Sequence, residues 1–100
     1  MSKWEEIGVI GVDAGMCWVG DPCYCVTPDA DEHPAKTWGE FCEQIEKGQF
    51  YDNEYQQFCY KMGHQDLGVC VSSGYGDGTY PVFIKKNGEG RVVGLMVKFD

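Results

Sequence analysis

From Leu67 to Phe99 the chain reads as three β-rich runs, Leu67 to Ser73, Thr79 to Lys86 and Arg91 to Phe99. No other feature narrows the fold as much, because the connections between the runs are so short. Parallel strands need crossovers of about a dozen residues or more, and Gly74–Gly78 and Asn87-Gly88-Glu89-Gly90 fall well below that length. The expectation is an antiparallel three-strand meander, with Asp77-Gly78 as a hairpin turn, since Asp-Gly accepts the positive φ such turns require. In the last run Val93, Leu95, Val97 and Phe99 share one parity and are expected to face the core, with Val92, Gly94, Met96 and Lys98 opposite.

The first quarter adds shorter extended pieces. Ile7 to Val12 reads as a strand, Asp13-Ala14-Gly15 as a turn and Met16-Cys17-Trp18-Val19 as the returning strand. Gly20-Asp21-Pro22 ends it, since proline has no amide to give to a ladder. The middle holds one helix. Thr37-Trp38-Gly39-Glu40 matches a capping box, and Trp38, Phe41, Cys42 and Ile45 recur at three- and four-residue spacing. Lys47 suits the negative end of the helix dipole, and Gly48 a left-handed C′ position. Residues 54–62 fit a helix and a strand equally well. The fold class expected is therefore α+β: mainly antiparallel sheet, from the C-terminal meander plus the N-terminal strands, with one packed helix near 38–47.

With 100 residues, 43% of them hydrophobic, and neither repeat nor linker, the chain is expected to form a single domain over 1–100. No apolar run reaches the roughly 20 residues that cross a bilayer, and no apolar leader is visible at the start, so a soluble cytoplasmic protein is expected. Eight Lys and Arg against sixteen Asp and Glu give a net charge of −8. Nucleic-acid binding depends on cations that displace counterions from phosphates, and an anionic membrane surface repels an acidic chain; neither partner is expected.

Six cysteines, Cys17, Cys23, Cys25, Cys42, Cys59 and Cys70, are read as reduced thiols in a cytosol, most of them core. Cys17, Cys23, Cys25 and His33 lie close enough in sequence to form a weak zinc set, but no knuckle of the C-x₂₋₄-C kind occurs, so no cofactor is expected. Cys23, after a Gly-Asp-Pro turn, is the candidate nucleophile should the chain be an enzyme, with His33 or His64 as base. Gly74-Tyr75-Gly76-Asp77-Gly78 precedes a strand, whereas phosphate-cradling loops precede a helix. Asp29 to Glu40 places carboxylates as a calcium loop does, but Pro34 stands where that loop needs glycine.

The candidate ligand site is the pair of Gly-Asp turns, with Asp21, Cys23 and Tyr24 from one and Tyr75, Asp77 and Tyr80 from the other. Each pairs a carboxylate with glycine backbone and a tyrosine, which offers acceptors, amides and a stacking surface to a peptide or small polar ligand. The plainer account is that both aspartates only shape turns.

Val12-Asp13-Ala14-Gly15, Gly20-Asp21-Pro22-Cys23-Tyr24 and the string from Gly74 to Val82 resemble motifs of small uncharacterised proteins of bacteria and bacteriophages, a family of unknown function. That resemblance implies a microbial or phage origin and no catalytic residue. Together these readings favour a small acidic, non-enzymatic binding protein, acting on a host protein or a small polar ligand if phage-encoded. The alternatives are a thiol- or carboxylate-based enzyme centred on Cys23 and a structural subunit of a larger, virion-type assembly.

Overall fold

The computed structural model describes residues 3–22, 38–58 and 67–100. The chain forms two compact units, one of residues 1–15 with 73–100 and one of residues 16–72. Among these residues the strands are β1 (Trp4–Val12), β2 (Met16–Gly20), β3 (Tyr55–Phe58), β4 (Gly68–Ser72), β5 (Gly78–Lys86) and β6 (Val92–Val97). The helices among them are α1 (Trp38–Lys47) and the short α2 (Phe50–Asn53). All described strand pairs are antiparallel, so the protein is α+β and mainly β.

The strands sort into two sheets, ordered β1-β5-β6 and β2-β4-β3. This corrects the meander. The connection between β5 and β6 is a hairpin, closed by Asn87 N donating to Arg91 O at 2.9 Å, but β4 pairs with β2 and β3 rather than with β5. The return of β2 on β1 fails in the same way, since β1 pairs with β5. Both turns contain backbone in the left-handed region, with φ of 68° at Gly15, 70° at Gly74 and 93° at Gly76. They fold back on one another instead of closing local hairpins, through Ser73 N donating to Gly15 O at 3.0 Å.

In residues 16–72 the apolar stripe of α1 meets one face of the β2-β4-β3 sheet. Ile45, Phe50, Phe58, Leu67 and Cys70 are buried, with Met16, Trp18 and Phe41 packed against them. Phe41 stacks on Phe58 with ring centroids 4.9 Å apart, and Trp18 meets Phe58 edge-on at 5.3 Å. The Trp18 ring covers the cross-strand partners Gly20 and Gly68; a Cβ on either glycine would strike the indole. Trp38, at the start of the stripe, stays 60% exposed while stacking on Phe41.

One side chain joins the two helices. Gln56 Nε2 donates to Gln44 O near the end of α1, and its Oε1 accepts from Phe50 N at the start of α2, both at 3.3 Å. The glycine after α1 is therefore used differently from the expectation. Gly48 is not left-handed, and a Cβ there would collide with the Gln56 amide, so the position needs an absent side chain rather than a special φ. The ambiguous segment resolves to strand over Tyr55–Phe58. Thr37 of the capping box and residues 59–62 lie outside the described residues.

In residues 1–15 with 73–100 the parity expected of β6 does not hold. Val93 and Leu95 are 57% and 56% exposed, about the same as Val92 at 57%, and Val97 and Phe99 are half-buried. The reason is twofold. A register shift between the Lys85–Gly94 and Lys86–Val92 pairs takes Val93 out of the alternation, and this unit has no helix among its described residues to cover a sheet face.

Candidate functional site

The loop from Ser73 to Asp77 is built from residues that hold each other. Tyr75 N donates to Ser73 O at 2.7 Å, which tightens the chain between Gly74 and Gly76. The Gly76 carbonyl then accepts twice, from Ser73 Oγ at 2.7 Å and from Tyr80 Oη at 2.8 Å. Ser73 is fully buried and Tyr80 is buried, the Tyr80 ring meeting Phe99 edge-on at 5.3 Å. Two further bonds tie this loop to the first turn: Gly15 N donates to Asp77 Oδ1 at 2.9 Å, and Gly15 O accepts from Ser73 N. Left-handed φ at Gly74 and Gly76 makes this path available to glycine and strained for other residues.

The result is a tyrosine on a pedestal. Tyr75 sits between the two glycines and is 84% exposed, while the polar groups around it are spent on internal bonds. Such a group offers a flat ring and a phenol at small entropic cost, because the backbone beneath it is already fixed. The loop presents an exposed ring, and its hydroxyls and carboxylate serve mainly as struts.

The six residues expected at the site divide accordingly. Tyr75, Asp77 and Tyr80 share the loop, with Asp77 shaping it, Tyr80 buried under it and Tyr75 presented. Asp21 is exposed just beyond the end of β2. Cys23 and Tyr24 lie outside the described residues, as do Cys25, His33 and His64. Of the zinc set only Cys17 is described, on β2. The partner the sequence missed is Gly15: Asp13-Ala14-Gly15 was legible as a turn, but no local signal tells which distant carboxylate receives its amide.

Two of the described thiols, Cys17 and Cys70, are poor nucleophiles. Cys17, Cys42 and Cys70 are free. Burial raises the Cys17 thiol above its usual range, and burial with the neighbouring Cys17 charge pushes Cys70 up to about 11. Both stay protonated at neutral pH, which suits packing and opposes covalent chemistry. No helix among the described residues is long and apolar enough to cross a membrane.

A family model described as protein of unknown function (DUF4241) matches residues 3–97. No curated protein and no solved structure matches the chain.

Proposed function

Since the chain belongs to the DUF4241 family, a family of unknown function, we propose that it is a small non-enzymatic binding protein whose Tyr75 loop holds a protein partner or small polar ligand. The observation that carries this reading is a single tyrosine 84% exposed on a loop whose own hydrogen bonds fix it in place. Exposed aromatic side chains on rigid backbone are the groups that interfaces use as anchors. The elevated thiols at Cys17 and Cys70 weigh against thiol chemistry at those two positions. The resemblance of the Gly-Asp-Pro-Cys-Tyr and Gly-Asp-Gly-Thr-Tyr-Pro strings to bacterial and phage proteins supports a bacterial cytoplasm, or an infected cell, as the setting.

The test compares wild type with Tyr75→Ala in affinity capture from a bacterial lysate, scored for retained proteins and retained metabolites. The variant is expected to melt with wild type and to lose whatever wild type retains. A Tyr75→Ala protein that retains the same set would remove the loop from function.

A second reading, a subunit of a larger assembly, is favoured by β6. That edge strand carries no charge over Val92–Val97 and exposes Val92, Val93 and Leu95 by more than half. Exposed apolar edges are templates for strand pairing between chains.

A further inference from the structure

The two compact units share the charge unequally. Residues 16–72 hold three Lys and Arg against ten Asp and Glu, whereas 1–15 with 73–100 hold five against six. In the second set cations gather where β1 begins and β5 ends. Trp4 pairs with Lys85, so the next position outward in the same antiparallel register sets Lys3 beside Lys86. Lys85 holds its ammonium 5.6 Å from the centre of the Trp4 ring. Lys3, Trp4, Glu5, Lys86 and Asn87 line an open cavity of about 480 Å³.

Two features of this cavity are not what folding alone would select. Like charges opposite one another in a sheet are destabilising, and acids outnumber bases two to one in this chain. Yet among the described residues the ion pairs are Lys47–Glu43 and Arg91–Glu89, and neither Lys3 nor Lys86 joins one. Asn87 is also fixed in orientation. Its Oδ1 accepts from Glu89 N at 2.9 Å and from Arg91 N at 3.1 Å, so the NH₂ is the end left to a ligand. Two ammonium groups and an amide donor thus border one space, opposed by the single carboxylate of Glu5.

We propose that this cavity binds a small oxyanion carrying more than one negative charge, on phosphate or carboxylate groups, held by Lys3, Lys86 and the Asn87 amide. Glu5 sets the charge requirement: it offsets part of the lysine field, so a singly charged anion gains little and a multiply charged one still gains. The bound anion supplies the countercharge that the two lysines lack. The site is separate from the Tyr75 loop and stands whether or not that loop binds a partner.

The test is a titration of the full chain with pyrophosphate and, separately, with citrate, against sodium chloride at matched ionic strength. It is followed by ¹⁵N NMR at the Trp4 indole and the Asn87 side chain. Saturable shifts confined to this end of the sheet are expected, with the tighter of the two probes identifying phosphate or carboxylate as the preferred group. Lys3→Gln and Lys86→Gln should each weaken binding about tenfold, the loss of one charge-assisted contact. The double variant should abolish binding yet melt no lower than wild type, because a like-charge pair has been removed. Tyr75→Ala should leave the titration unchanged. Shifts no larger than those from sodium chloride, or shifts that survive the double substitution, would overturn the proposal.

Discussion

Asp77 and Gly15 are 62 positions apart in sequence and share one hydrogen bond, from amide to carboxylate oxygen. That bond separates two roles for the carboxylate. Asparagine keeps an acceptor oxygen at the same place, so Asp77→Asn should lose little stability, whereas Asp77→Ala should lose about 1 kcal/mol, since the bond is exposed. Urea unfolding of both variants checks this, and equal losses would show that the charge rather than the acceptor matters. Cys70 makes a second residue-level prediction. It is 1% exposed and its thiol is pushed up to about 11 from 9.0, because the interior accepts the neutral thiol and not the thiolate. A folded-state pKa raised in this way contributes stability that is complete below the unfolded pKa and is lost as pH rises through the folded one. The advantage of wild type over Cys70→Ala in urea unfolding should therefore shrink between about pH 9 and 11. A constant advantage across that window would mean that the thiol titrates alike folded and unfolded.

Among the elements, α1 and β6 mark opposite ends of the range of burial. Ile45 on α1 is 2% exposed within an aromatic cluster, and Ile45→Ala should cost about 2–4 kcal/mol by opening a cavity. Leu95 and Val92 on β6 are 56% and 57% exposed, and an aspartate at either should cost alike and below about 1 kcal/mol. Thermal melts of the three variants rank the elements, and a collapse of Leu95→Asp alone would restore the simple alternation that the register shift breaks. Both sheets cover backbone with indole. Trp18 lies over Gly20 and Gly68, and Trp4 reaches across β5 to Gly94. Each tryptophan thus replaces side-chain packing that glycine cannot supply.

At the scale of the whole molecule, charge controls association. A net charge of −8 makes chains repel at neutral pH, and that repulsion vanishes near the sequence pI of 4.5. With repulsion gone, the uncharged β6 edge, which exposes Val92, Val93 and Leu95, is one edge open to pairing. Light scattering should show self-association as pH falls toward 4.5, suppressed by Val93→Lys. Ala14→Lys adds the same charge in a turn and should not suppress it. Equal behaviour of the two lysine variants would assign the association to net charge alone and remove the edge strand from it.

The sequence by itself determined the elements whose causes are local. The apolar spacing from Phe41 to Ile45 made α1, the Asn-Gly connection made the β5–β6 hairpin, and the density of β-branched and aromatic residues made the sheets. The Gly74–Gly78 string was legible as a turn with a tyrosine in it. The tertiary structure alone decided partners. β4 left β5 for β2 and β3, Gly15 chose Asp77, and Lys3 came to rest beside Lys86, because a strand's propensity and period are blind to which edge completes its ladder. Pairing energy depends on long-range register and on the burial each arrangement achieves, and those are properties of the folded chain rather than of any window of residues.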